Sequence, residues 1–505
     1  MDTPGTPGTP NAQDAEGTPA PIDVLVVGAG PTGMTLANEL LTAGASAVLV
    51  DKLARRSELS RAGGVQSRTL EAFDQRGLLE PLLATGDHPT ATSHFAGIPL
   101  PDVPDRHRLP WRSVPQVTIE GFLERHLSAR GLRVRRDRAL VGLAQDDDGV
   151  TAAFADGATL RARYLVAADG AHSTVRSLLG AAFPGEPGTL TIVAADVRLG
   201  GDEPAASHTW AEGGHWAALF PLGTDTEGRP LRRLVLGGPE QSLLPRETPV
   251  TEDDVRRGLH TVFGARTHLV ELRYARRITN ASRQAEQYRH GRVFLAGDAA
   301  HVHLPLGAQG MNTGIQDAFN LGWKLGAAVR GRAPAGLLDT YHAERHPAGA
   351  AVLRNVRAQS LLMDWAGTRD PGVVATRAIF TDLAQLPDVR RHLADLMSGM
   401  ATRYPMPGTE LHPLIGLPVP DLDLGAGGRL HPLLRSGRGI LLDADGRYAK
   451  AAAPWSDRVD HVAPAEGSHR GADVEPVLVR PDGYVCWAPP AALEPTLTHW
   501  FGQPH

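Results

Sequence analysis

Short unbroken apolar runs recur along the chain: Val24–Val27, Ala47–Val50, Tyr164–Ala168 and Arg292–Ala296. Each stops at Gly or Asp, and a run this short with no polar alternation predicts a strand buried on both faces of a parallel sheet. Between the runs the apolar positions switch to helical spacing. They do so from Pro31 through Ala37, Leu40 and Leu41, over Ser67–Leu83, through Phe122, Leu123 and Leu127, and from Gln309 through Ile315, Ala318, Phe319, Leu325 and Val329. Long helices are predicted over Leu337–Leu361 and Phe380–Met400. Val134–Tyr164 reads as three short strands joined at Asp148-Gly149 and Asp156-Gly157, since Asp-Gly favours hairpin turns. Thr191–Leu199, Trp216–Pro221, Leu231–Leu236 and Val270–Ile278 read as an antiparallel sheet of different character. Gly439–Asp443, Val459–Val462 and Pro476–Trp487 look like strands of a small last unit.

This order predicts an α/β fold with an inserted sheet domain and a C-terminal domain. The expected division is a disordered Pro/Thr/Gly tail over 1–20, a dinucleotide-type domain over 21–189, and a sheet domain over 190–279 that also receives 90–115. The first domain then returns with long helices over 280–400, and the last domain covers 401–505.

The ends of the apolar runs carry the candidate chemistry. Gly28, Gly30 and Gly33 follow the first strand in G-x-G-x-x-G spacing. The first glycine permits the tight turn, the second brings backbone close to a pyrophosphate, and the third lets the helix pack on the sheet. Pro31 and Thr32 open that helix, whose free N–H groups and positive dipole end suit phosphates. Asp51-Lys52 ends the second strand, where a carboxylate can accept bonds from a ribose. These features do not choose between NAD and FAD. Arg55, Arg56 and Arg61 with Gly63-Gly64 read equally as a loop over an anionic cofactor or as a solvated basic loop. Asp169-Gly170 and Gly297-Asp298 again stand at the C-terminal ends of strands, where ligands of open α/β sheets bind. After Asp298, the turn Pro305-Leu-Gly307-Ala308-Gln309-Gly310-Met311-Asn312 opens a helix whose N–H groups can stabilise charge on a flavin ring. His301 and His303 lack a third ligand nearby, so no metal is expected.

Composition removes other classes. A chain of 505 residues with net charge -5 gives no electrostatic case for nucleic acid or an anionic membrane. No apolar stretch is long enough for a membrane span, and Cys486 alone excludes an intrachain disulfide and fits a cytoplasmic location.

With the three motifs in hand, the chain resembles the FAD-dependent aromatic hydroxylases, the class A flavoprotein monooxygenases of the para-hydroxybenzoate hydroxylase fold. It is most similar to the branch acting on angucycline and anthracycline polyketides and to rifampicin monooxygenases. The resemblance runs from about Asp23 to Trp487 and rests on Gly28, Gly30 and Gly33, on Asp169, Gly170, Ser173 and Arg176, and on Gly297, Asp298, Pro305, Gly307, Gln309, Gly310 and Asn312. It implies a Rossmann-like FAD-binding domain, an antiparallel substrate domain and a thioredoxin-like C-terminal domain, here without C-x-x-C. It implies FAD contacts from those glycines and from Pro31, Thr32, Asp51, Lys52, Arg61, Gln116, Asp169, Asp298, Pro305, Ala308, Gln309, Met311 and Asn312. Ala308 departs from the family's usual Gly, and Leu304 from its usual Pro.

NADPH or NADH would reduce FAD, and O₂ would form a C4a-hydroperoxide whose distal oxygen passes to an electron-rich phenol. His94, Phe95, Trp210, Trp216 and Phe220 are the candidates to line the substrate cleft, and no catalytic acid–base pair stands out. Alternatives are Baeyer–Villiger oxygenation and antibiotic inactivation and, from another functional class, a non-redox flavin-dependent dehydratase or a binding protein. The chain is expected as a monomer or homodimer.

Overall fold

The computed structural model describes residues 22–90, 94–100, 109–202, 208–224, 227–364, 370–408, 410–425, 428–464 and 475–505; the tail reading over 1–20 lies outside them. A seven-stranded sheet forms the centre, with the order Arg289–His290, Val293–Leu295, Thr159–Ala167, Ile22–Val27, Ala47–Val50. The last four of these pair in parallel, and Val24, Leu25, Val26, Leu165 and Val166 are wholly buried, as their lack of alternation requires. Two further strands, Leu140–Gln145 and Val150–Phe154, pair antiparallel beside Thr159–Ala167. One strand therefore does two jobs that the sequence reading gave to two. Its first half closes the meander, and its second half carries Ala168-Asp169 to the cofactor edge.

The helix Pro31–Thr42 packs on the long helix Gln309–Val329. Glycines make this approach close: a Cβ at Gly322 would lie 2.4 Å from Glu39 Cβ, and one at Gly326 2.2 Å from Ala43 Cβ. The helix expected over Ser67–Leu83 is broken into Ser67–Asp74 and Leu79–Leu83 by Gly77, which takes φ +68°. The helix expected over Phe380–Met400 is instead Pro371–Leu383 and Pro387–Ser398. Leu386 precedes a proline and is extended there (ψ 129°), which ends the first helix.

The inserted domain is a five-stranded antiparallel sheet, in the order His208–Trp210, Trp216–Thr224, Pro230–Gly237, Thr191–Gly201, Thr267–Thr279. A helix that patterning did not predict, Glu252–Phe263, covers one face with Val255 and Leu259. Thr251 and Asp254 cap it reciprocally, and Glu252, Asp253 and Asp254 complement its positive end.

The C-terminal unit is a four-stranded mixed sheet, Val459–Val462, Gly439–Leu442, Val477–Val479, Val485–Trp487, with the helix Leu493–Phe501. Buried ions dock it to the first domain. Arg76 pairs with Glu39 at 2.7 Å and donates to the carbonyls of Leu434 and Pro481. Arg480 pairs with Glu344 and Asp482, both at 2.6 Å, and Lys324 joins Glu344 at 2.9 Å. Cys486 is buried in this unit, and burial pushes its thiol far up, so it is inert. Among the described residues, no helix is long and apolar enough to cross a membrane.

Candidate active site

The first strand ends in a loop only glycine can form. Gly28 has φ +106°, and a Cβ there would sit 2.3 Å from the Ala168 carbonyl oxygen. Gly33 presses on the same loop, its would-be Cβ 1.9 Å from the Gly28 oxygen. Gly30 is the contrast: a Cβ there meets no heavy atom within 4 Å. It is also the N-cap of Pro31–Thr42, and no side chain caps that helix. An open face at a helix start without a side-chain cap has the chemistry to receive an anion such as phosphate. Asp51 bridges the strand ends. Its Oδ2 accepts from Ala29 N and its Oδ1 from Leu53 N, both at 2.8 Å. Lys52 beside it is exposed.

The next anchors come from distant segments. Gln116 accepts from Arg61 N at 3.2 Å and donates to Glu120 at 2.6 Å, fixing the loop that carries Arg61. Asp169 spends Oδ2 on Val175 N, while its buried Oδ1 has no partner among the described residues. Arg176 donates to Ala299 O, tying this motif to the third. Gly297 (φ +60°) and Gly314 both close on Thr32, with would-be Cβ atoms 2.7 and 2.3 Å from its Oγ1. Thr32 is thus the wedge where the first and third motifs meet, and exposed Asp298 lies one residue beyond Gly297.

Sequence reading missed what holds that turn. Asp317 accepts from Gly297 N at 2.9 Å, from His301 Nε2 at 2.8 Å and from Arg345 at 2.7 Å. Burial opposes its charge, but Arg345 and His301 outweigh it and hold its carboxyl below the usual range. The polar positions Thr313, Asp317, Asn320 and Lys324 at helical spacing were the available signal. His301 is therefore a structural partner of Asp317.

The third motif ends in a strained turn. Gly307 and Ala308 both take left-handed φ, +64° and +54°, before the helix starts at Gln309. Ala308 stands where the resemblance has Gly, and a left-handed alanine costs roughly 1 kcal/mol. Pro305 precedes this turn. Asn312 staples it to the Gly63-Gly64 loop. It accepts from Gln66 N (3.0 Å) and donates to Gly64 O (3.0 Å) and Ala308 O (2.7 Å), while Gln66 donates to Gly307 O (2.7 Å). His303 donates from Nδ1 to Leu304 O, and burial keeps its ring neutral, so Nε2 is a buried acceptor beside Gly310 with no partner.

Beyond this turn lies a cluster of rings. His94 neighbours Trp111 (6.2 Å between ring centres), His208 (4.8 Å) and Phe220 (6.5 Å). Burial lowers His94 to about 4, and burial with His94 and Arg377 lowers His208 to about 3, so both rings are neutral. The five candidates divide. His94 and Phe220 sit in this cluster. Trp210 is at its rim, half exposed, stacked on His208 and covered by Arg377 at 5.0 Å. Phe95 turns to Phe380 at 5.2 Å. Trp216 packs into the sheet against Gly237, whose Cβ would strike its ring at 2.2 Å. Sequence reading missed Trp111, His208, Arg377 and Phe380, since none stands in a motif.

The unclaimed helix start at Gly30, the orphaned Asp169 oxygen and the orphaned His303 nitrogen fit an extended dinucleotide that continues to a ring at Gly310. Comparison with known proteins agrees. The FAD binding domain family matches residues 21–356, and the aromatic-ring hydroxylase C-terminal family matches 412–504. A rifampicin monooxygenase of Streptomyces venezuelae is 43% identical, over 95% of this chain and 98% of that protein. The solved anhydrotetracycline hydroxylase OxyS of Streptomyces rimosus is 42% identical with TM-score 0.83, over 96% of this chain and 99% of that one. CabE, an aromatic hydroxylase from angucycline biosynthesis, is 37% identical with TM-score 0.85, over 96% of this chain and all of the other. The chain belongs to the FAD-dependent aromatic-ring hydroxylases and is a flavin monooxygenase.

Proposed function

We propose that this enzyme uses NAD(P)H and O₂ to hydroxylate a phenolic, polyketide-type aromatic ring. The observation that carries this reading is the neutral aromatic cluster of His94, Trp111, His208 and Phe220, whose Trp111 lies on Gly64 in the loop stapled by Asn312. A flat electron-rich ring suits such walls, and neutral histidines neither repel nor trap it. Relatives are named for oxygenation of anhydrotetracycline and for aromatic hydroxylation in angucycline biosynthesis.

FAD, when bound, supplies hydride acceptance and the activation of O₂. The chain's own groups bind and aim it. Gly28, Gly30, Pro31, Thr32 and Gly33 would receive the pyrophosphate, Asp51 and Lys52 the adenosine ribose, and Arg61, Gln116 and Asp169 the central span. Asp298 would hold the ribityl chain. Gly297, Pro305, Gly307, Ala308 and Gln309 would shape the turn that presents the N–H groups of Gly310, Met311 and Asn312 to the ring. Phe95–Phe380 and Trp210–Arg377 would exclude water from the cleft.

The domain division at 21–189, 190–279, 280–400 and 401–505 belongs to the same proposal. So do a thioredoxin-like last unit that serves packing rather than thiol exchange, a cytoplasmic location, and a monomeric or homodimeric state. The test is aerobic NADPH and NADH oxidation with anhydrotetracycline and related phenols, followed by mass spectrometry. A product heavier by one oxygen is expected, and its structure separates ring hydroxylation from ester formation. Peroxide alone with every phenol tried would refute hydroxylation.

A further inference from the structure

Among the described residues, two buried polar nitrogens of this ring cluster have no partner: Nδ1 of His94 and Nε1 of Trp111. His94 is 9% exposed, and the two ring centres are 6.2 Å apart. An orphaned indole N–H and an orphaned imidazole nitrogen destabilise a fold unless something satisfies both, and such groups are rare in native interiors. Both are held in place by backbone. Trp111 precedes Arg112, which exchanges two hydrogen bonds with Val65 (2.8 and 3.0 Å). That bridge lays the indole on Gly64, where a Cβ would meet Nε1 at 2.3 Å. Gly64 O is in turn bonded by Asn312, so the indole lies one residue from the turn that faces the cofactor. His94 starts the hairpin His94–Phe95/Ile98–Pro99, which Gln359 and Arg377 grip at Ala96.

We propose that His94 and Trp111 form a clamp for a single phenolic hydroxyl of the substrate, the oxygen accepting from Trp111 Nε1–H and donating its hydrogen to His94 Nδ1. This rests on the phenol-hydroxylase reading above and deepens it. A hydroxyl is the smallest group that both donates and accepts, so one atom satisfies both orphans. Each N···O contact would span about 3 Å. Only a neutral imidazole can accept, and burial lowers His94 to about 4, which keeps it neutral in the working range. Among the described residues, the titratable and charged neighbours are His208, which is neutral, and Arg377, whose charge also disfavours an imidazolium at His208. The clamp would hold the hydroxyl-bearing ring beside the indole and so fix which carbon faces the cofactor. A ketone or an ether can use Trp111 but offers no hydrogen to His94.

The test measures binding to the FAD-loaded protein by fluorescence quenching, with 1-naphthol and its methyl ether, 1-methoxynaphthalene. The wild-type chain should bind the naphthol at least tenfold more tightly. His94→Phe should erase that preference while leaving FAD affinity and melting temperature near wild type. Trp111→Phe should weaken both ligands several-fold, and the double variant should lose less than the sum of the single losses. A merely structural role would not change the naphthol-to-ether ratio. Equal binding of the two ligands by the wild-type chain, no binding of either, or a ratio that survives His94→Phe would overturn the clamp, and the wild-type comparison needs no variant to fold. These outcomes are read from binding, so they stand apart from the mass-spectrometric test of hydroxylation.

Discussion

Gly30→Ala separates a glycine kept for the ligand from one kept for the fold. Gly30 sits at φ -81° and ψ -177°, an extended conformation open to any residue, and its would-be Cβ meets nothing within 4 Å. The ligand-free variant should therefore fold at least as well as wild type, with a gain of about 0.4–1 kcal/mol from reduced freedom of the unfolded chain. The same methyl would stand where the backbone must approach a pyrophosphate. Losing one charge-assisted hydrogen bond there costs about 1.5–3 kcal/mol, or roughly 10- to 150-fold in the FAD dissociation constant. Gly33→Ala makes the opposite change. Its Cβ would lie 1.9 Å from the Gly28 carbonyl oxygen, a backbone atom, so the ligand-free protein itself should lose about 1–3 kcal/mol or more. The assay is thermal unfolding of FAD-stripped protein beside titration with FAD. A Gly30→Ala variant that melts lower yet binds FAD normally would refute the reasoning.

Asn312→Ala would leave Gln66 N–H and Gly64 C=O unpaired in the core, at about 1–3 kcal/mol each. The loosened Gly64 loop should also raise the share of NADPH consumed as peroxide, and a variant with wild-type coupling would show that the staple does not shape the site. Arg480→Met would strip Glu344 and Asp482 of their main partner, and a loss of about 3–5 kcal/mol is expected by urea unfolding. Glu344 supplies a pH signature: burial raises it, but Arg480 and Lys324 overcome this and hold it at about 2, against an ordinary 4.5. A folded value below the unfolded one adds stability that is complete above pH 4.5 and lost as pH falls towards 2, to about 3 kcal/mol. Urea midpoints that stay flat across that window would contradict it.

Much of the central fold was legible because its elements are local. Buried parallel strands need unbroken apolar runs, and the tight turn after Val27 needs glycine, so Val24–Val27 and Gly28 announce themselves. Breaks were harder. Gly77 and Pro387 end helices within continuous apolar patterns, and a glycine or proline inside a pattern can either be tolerated or break it. The motif residues of the site could be read, but not the side chains that brace them. Asp317, Arg345 and Trp111 act through contacts across long stretches of chain, and spacing carries no trace of such partners. The sequence by itself determined that three glycine-and-acid motifs end three buried strands, because backbone conformation restricts those positions to few residues. Only the tertiary structure decided that Thr32 joins the first motif to the third, that Asn312 staples the turn to Gly64, and that His94 faces Trp111 while Trp216 turns into the sheet. Packing and side-chain hydrogen bonds between distant segments set those contacts, and they exist only once the sheets and helices have met.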